Sequence, residues 1–126
     1  MVYGIGIDLV KIPRIAAALD RYGDRFINRV FTPGEIAYCR GKVWSAAGFA
    51  LRFSAKEAFS KALGVGLRRD GIRWREVEVV PNPMGKPELF VSGRAAELCA
   101  AAGITNMHLS LTDEDDRALA VVILEK

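Results

Sequence analysis

The sequence predicts a single α+β domain, in which a largely antiparallel sheet packs against one long helix and several shorter ones. Three observations carry this reading. Segments of strand-like and helix-like periodicity follow one another in the order β-α-α-α-β-β-α-β-β, with the helices grouped rather than interleaved between parallel strands. The chain of 126 residues is long enough for one hydrophobic core and short for two. Its 51% apolar and 26% charged residues match a folded globular domain and exclude wholesale disorder. Residues 1–126 therefore read as one domain, with no internal repeat and no low-complexity linker.

Residues 2–8, Val-Tyr-Gly-Ile-Gly-Ile-Asp, form the first strand. Gly4 and Gly6 weaken a strand unless another backbone or a ligand needs to come close. Pro13 opens a helix at its first position, and Gly23 ends or bends it. Thr32-Pro33-Gly34-Glu35 combines a capping threonine, a first-turn proline and a glutamate placed to close a capping box, so a helix runs to about Arg40. A longer helix spans roughly Ser45 to Leu63 and stops at the left-handed glycines Gly64 and Gly66. Residues 72–80 alternate as a strand but slip phase near Glu76, which predicts a bulge. The turn-rich loop Pro81 to Pro87 leads to a short strand over 88–91. Ser92 caps a helix from Gly93 to Ala102 that ends at Gly103. Met107, Leu109 and Leu111 alternate with His108, Ser110 and Thr112, giving a strand with one buried face. An acidic turn at 113–116 then leads into Ala118 to Leu124, apolar enough to lie buried on both faces.

The net charge of +3 hides an asymmetry: residues 1–75 carry 14 Lys and Arg against 6 Asp and Glu, and residues 76–126 carry 4 against 9. A basic front half points to an anionic partner, whether nucleic acid, phosphate groups or an acidic protein, or else serves solubility alone. No uncharged apolar run approaches the roughly 20 residues that span a bilayer. Asp8 interrupts the apolar start and no basic segment precedes it, which argues against a signal peptide. Cys39 and Cys99 lack metal-ligand spacing and read as free thiols in a reducing cytoplasm.

Four groups of residues could carry chemistry. On the long helix, Leu51, Ala55, Ala58, Phe59, Ala62 and Leu63 form the core stripe, and Ala50, Ser54, Glu57 and Lys61 line the opposite side. Glu57 and Lys61 are four apart; alone they are a solvated surface pair worth a few tenths of a kcal/mol. Small residues beside them leave room for something to dock. Asp8, at the end of an apolar strand, is either a turn residue or one of two carboxylates holding Mg²⁺, an ion that keeps waters and adds phosphate oxygens. Arg14, Arg21 and Arg25 share a face if the helix from Pro13 continues past Gly23: a solvated face, a docking edge for an acidic protein helix, or a nucleic-acid groove. His108 is either a hydrogen-bonded structural histidine or a phosphate contact. A single histidine excludes a multi-histidine zinc site, and no Walker loop, dinucleotide fingerprint or EF-hand spacing is present.

Taken in order, three of these segments resemble one family. Gly4-Ile5-Gly6-Ile7-Asp8-Leu9 followed by Arg14 is similar to the first motif of the 4′-phosphopantetheinyl transferases. Phe53-Ser54-Ala55-Lys56-Glu57-Ala58-Phe59-Ser60-Lys61-Ala62-Leu63-Gly64 resembles their second, and Asn82-Pro83-Met84-Gly85-Lys86-Pro87 a third loop. The likeness covers nearly the whole chain and is strongest to the short, single-lobed branch. It departs at Thr112-Asp113, where many relatives carry a Ser-His pair.

The resemblance implies transfer of phosphopantetheine from coenzyme A to a serine of acyl carrier protein, with adenosine 3′,5′-bisphosphate released, in support of fatty acid biosynthesis. By position, Asp8 and Glu57 would bind Mg²⁺ and Lys61 would neutralise phosphate charge. Glu57 would take the serine proton, directly or through a water. Arg52, Lys61, Asn82, Gly85, Lys86 and His108 would contact coenzyme A. Arg14, Arg21 and Arg25 would receive the acidic carrier. Relatives of this branch resemble homotrimers with sites between subunits. Two competing readings are a basic nucleic-acid-binding module and another Mg²⁺-dependent enzyme acting on coenzyme A or nucleotide phosphates. The first leaves the placement of Asp8 and Glu57 without a purpose, and the basic-aromatic clustering it needs is confined to the stretch around Trp74.

Overall fold

The computed structural model describes residues 1–67 and 71–126. Strand β1 (Val2–Lys11) is followed by four helices: α1 (Ile12–Tyr22), α2 (Asp24–Val30), α3 (Pro33–Arg40) and α4 (Ser45–Leu63). A 3₁₀ turn (Trp74–Glu76) leads to the hairpin β2 (Val77–Pro81) and β3 (Pro87–Val91), then α5 (Gly93–Ala102), β4 (Asn106–Glu114) and β5 (Arg117–Glu125). The strands form two antiparallel sheets, β1-β5-β4 and β2-β3, where the sequence predicts one. Among the described residues no helix is long and apolar enough to cross a membrane.

Local chemistry sets the helix ends. Thr32 Oγ1 accepts the Glu35 amide at 3.2 Å while Glu35 Oε1 accepts the Thr32 amide at 2.9 Å, so the expected capping box is present. Gly64 closes α4 in the left-handed region at φ 87°. Gly23, at φ 53°, splits the expected first helix into α1 and α2, because only a glycine takes that turn without strain. The phase slip near Glu76 is the 3₁₀ turn rather than a bulge, and the strand starts only at Val77. Ser92 makes no side-chain cap; Glu76 Oε1 instead accepts the Ala95 amide at 3.1 Å.

Helix α4 is buried far beyond a single stripe. Ala55, Ala58, Phe59, Ala62 and Leu63 join a core with Val77, Val79 and Leu89 of the hairpin and Val122 and Leu124 of β5. Phe49 and Ala50 join a second core with Val10, Ile15, Val30 and Phe31. Ala50 and Ser54, expected on the open side, are fully buried. β5 is buried on one face only: Ala118, Ala120, Val122 and Leu124 point inward, and Leu119, Val121 and Ile123 are half-covered on the other face. That outer face carries rows in register: Ile5–Ile123–His108, Ile7–Val121–Ser110 and Leu9–Leu119–Thr112. Ile5 is 63% exposed and Ile7 and Leu9 are each 56% exposed.

Candidate active site

The site begins where two backbones touch. A Cβ added at Gly4 would lie 2.0 Å from the Ala62 carbonyl oxygen, and one at Gly6 would lie 1.8 Å from that of Ala58. Only glycine admits this approach of strand to helix, so the glycines on one face of β1 are explained by α4 itself. Two residues of strand advance about 6.7 Å and four residues of helix about 6 Å, so the two repeats run in step. One further step of the same spacing leads from Gly6 and Ala58 to Asp8 and Ser54. Ser54 Oγ is buried and has no hydrogen-bond partner among the described residues.

Asp8 meets the next stripe of α4 here. Lys61 Nζ lies 3.2 Å from Asp8 Oδ1 and donates to the Ile7 carbonyl at 3.1 Å. The Asp8 side chain is 14% exposed and that of Lys61 53%. Glu57 stands beside them with its carboxyl pushed above the usual range, first by burial and then by the Asp8 charge, against the pull of Lys61 and Arg14. The long-range pairing expected from sequence is thus realised: Asp8, Glu57 and Lys61 converge. Arg14 joins their electrostatic field, a role beyond the docking face expected of it.

Two carboxylates drawn out of solvent and set against each other are a hard-oxygen pair in want of positive charge. Mg²⁺ takes such pairs when water and phosphate oxygens complete its shell. No group of three or more His, Cys, Asp or Glu that could hold a metal occurs among the described residues, so a bound ion would draw its remaining ligands from those sources. The residues fit the ion.

The other expected contacts sit elsewhere. Arg52 is 4% exposed; its Nη1 donates to the Gly48 carbonyl at 3.2 Å, and its guanidinium lies 4.4 Å from the centre of the Tyr38 ring. Its Nε has no partner among the described residues. Asn82 builds the β2–β3 turn, its Oδ1 accepting the Met84 amide at 2.9 Å and the Lys86 amide at 3.0 Å, with Gly85 at φ 87°. Lys86 and His108 line a common cavity of about 270 Å³ with Pro87, Glu88 and Met107. His108 Nε2 hydrogen-bonds Glu125, whose carboxyl this holds below its usual range. Arg21 lies over the Tyr22 ring on α1, while Arg25 belongs to α2, so the three arginines do not share one helix face.

Lys56 is the residue that sequence reasoning missed. Its side chain and that of Glu35 are fully buried, with Nζ 2.9 Å from Glu35 Oε1. Nζ also donates to the carbonyls of Trp74, at 3.1 Å, and Val77. Glu35 Oε2 accepts the Val79 amide at 2.8 Å. Burial pulls the Lys56 ammonium below its usual range, opposed by Glu35. One ion pair thereby ties the start of α3, the middle of α4, the 3₁₀ turn and β2 together. The available signal was helical spacing: Lys56 sits three or four residues from Arg52, Phe59 and Ser60, all now seen to be buried.

Comparison with known proteins shows the family. The model of the 4′-phosphopantetheinyl transferase superfamily matches residues 4–122. Holo-acyl-carrier-protein synthase of Geotalea daltonii is 48% identical over 126 residues, covering 100% of both chains. That of Methylobacterium radiotolerans is 50% identical, covering 99% of this chain and 94% of its own. Among solved structures, holo-acyl-carrier-protein synthase from Neisseria meningitidis superposes with a TM-score of 0.90 at 38% identity, covering 100% of each chain. The Helicobacter pylori enzyme in complex with coenzyme A gives 0.85 at 30% identity, covering 96% of this chain and 99% of that one. With the motif-bearing strand and helix packed backbone to backbone and a match that spans both, the chain belongs to the 4′-phosphopantetheinyl transferase superfamily.

Proposed function

We propose that the chain moves 4′-phosphopantetheine from coenzyme A to a serine of apo acyl carrier protein, releasing adenosine 3′,5′-bisphosphate. The observation that carries this is the convergence of Asp8, Glu57 and Lys61 in a chain whose full-length relatives bear that enzyme's name. The serine Oγ forms a bond to the pantetheine-side phosphorus, the bond from that phosphorus to the bridging oxygen of the pyrophosphate breaks, and the serine proton goes to a carboxylate. Glu57 suits that proton transfer, since a carboxyl held above its ordinary range accepts a proton more readily at neutral pH. Asp8 and Glu57 would hold Mg²⁺, which when bound supplies charge neutralisation to the pyrophosphate oxygens. Lys61, half in solvent, presents an ammonium to charge growing on the leaving phosphate. Position and charge, rather than a covalent intermediate, provide the catalysis.

The working form we propose is a homotrimer in the cytoplasm, serving fatty acid biosynthesis. The outer face of β1-β5-β4 is an apolar sheet surface of a kind that a solitary soluble domain rarely leaves open. Neither Asp8 nor Glu57 lines the Lys86–His108 cavity. A neighbouring copy seated on that face would bring a second His108 and Lys86 toward the first copy's acids, enclosing a cofactor too large for one small chain.

The test is to mix the protein with coenzyme A, Mg²⁺ and apo acyl carrier protein and weigh the carrier. A gain of one phosphopantetheine is expected. No gain across several carriers, with coenzyme A binding retained, would replace this reading by another Mg²⁺-dependent coenzyme A enzyme.

A further inference from the structure

The basic-aromatic stretch around Trp74 takes no part in the chemistry above, yet it lines a cleft of its own. Arg29, Arg73, Trp74, Arg75 and Glu76 enclose about 470 Å³ between α2 and the 3₁₀ turn. Arg29 is shared with a neighbouring depression of about 300 Å³ lined by Tyr22, Arg25 and Phe26. A continuous surface therefore runs from the end of α1 over α2 to Arg75.

The cleft's described lining carries three arginines against one glutamate. Among the described residues none of Arg25, Arg29, Arg73 and Arg75 pairs with a carboxylate. Asp24 pairs with Arg40 at 3.2 Å, and Glu76, the acid among the described lining residues, accepts the Ala95 amide on Oε1. Beneath the charge lies an apolar floor. Trp74 stacks on Phe53 with ring centres 5.0 Å apart and planes 22° from parallel, and Phe53 is one helical turn before Glu57 on α4. Arginine around Trp, Tyr and Phe is the composition of a protein-binding hot spot. A strand-tracking groove for nucleic acid would need a row of free ring faces, whereas Phe53 already covers one face of Trp74.

We propose that Arg29, Arg73 and Arg75 around Trp74 form a second docking cleft for the acidic carrier protein, continuous through Arg25 with the Arg14–Arg21 edge. The proposal rests on the carrier reading above. Carboxylates of the carrier bind the arginines, and Phe53 sets that contact one helical turn from the carboxylate that receives the serine proton.

The experiment compares wild type with an R73E/R75E double variant and with R29E, whose side chains are all exposed. Titration calorimetry gives the Kd of apo carrier directly, and steady-state kinetics give separate KM values for carrier and coenzyme A. Carrier Kd and KM are expected to rise about tenfold or more, with kcat and the coenzyme A KM unchanged and a shallower salt dependence. R73K/R75K is expected to restore much of the affinity. Unchanged carrier affinity in both acidic variants overturns the cleft. Equal loss for coenzyme A overturns it too, by assigning the cleft to the donor. So does tight binding of a single-stranded oligonucleotide at about 0.15 M salt that R73E/R75E abolishes. If wild type transfers nothing while R73E/R75E still weakens carrier binding, the catalytic reading has failed and the cleft stands.

Discussion

Lys56 and Glu57 are neighbours in the chain and opposite in fate. Lys56 turns inward to Glu35 and two carbonyls, satisfying all three of its donors. Removing it strands a buried carboxylate, so Lys56→Met is expected to cost about 3–5 kcal/mol, read as a lowered Tm, with part recovered in the double variant Glu35→Gln/Lys56→Met. Glu57 turns to Asp8, in surroundings that oppose its charge. A carboxyl held above its unfolded value binds its proton more tightly in the folded chain, so ionising it at neutral pH subtracts stability, and this loss fades as pH falls through the folded value. Glu57→Gln is therefore expected to lower turnover by roughly a hundredfold or more, to raise Tm at neutral pH, and to lose that advantage in acid. Turnover at the wild-type rate would remove the carboxylate from the mechanism. Asp8, Glu57 and Lys61 were legible because acids on an apolar strand and beside small helical residues need a reason to be there. Lys56 was not, because its reason is a capping glutamate on another helix.

At the scale of elements, the seam between β1 and α4 decides where the acids meet. Gly6→Ala would force a Cβ against the Ala58 carbonyl, and strand and helix would have to part. A loss of about 3 kcal/mol or more is expected, along with weaker Mg²⁺ binding by calorimetry, since Asp8 moves with the strand. The glycines, the capping box and the span of α4 could all be read from local sequence, because each is set by residues within a few positions. The break at Gly23 and the 3₁₀ turn were less plain. Glycine permits a sharp turn without requiring it, and the turn at Trp74 is held by Lys56 from outside the segment. The cap of α5 belongs to Glu76, which lies too far back in the chain for a local pattern to include.

For the molecule as a whole, charge and apolar surface divide the labour. The basic front half supplies the arginine surfaces of α1, α2 and the 3₁₀ turn, and the outer sheet face supplies an apolar plane ending in His108. Composition foresaw the first, because unpaired charge is visible in a count. The second was hidden: β5 reads as buried on both faces, and composition alone does not separate a closed face from the half-covered one found here. Ile7→Asp, at an exposed position of that plane, is expected to yield a folded monomer by sedimentation, wild type being expected to sediment as a trimer, with transfer activity falling in step. A wild-type monomer of full activity would dispose of the assembly.

The spacing of β1 and α4 rests on carbonyl oxygens against glycine Cα atoms, with no side chain between them to be trimmed or enlarged. Core substitutions elsewhere, at Leu89 or Cys99 for instance, can therefore soften the fold without altering the distance between the two acids. Thermal resilience and the geometry of the two acids become separately adjustable properties.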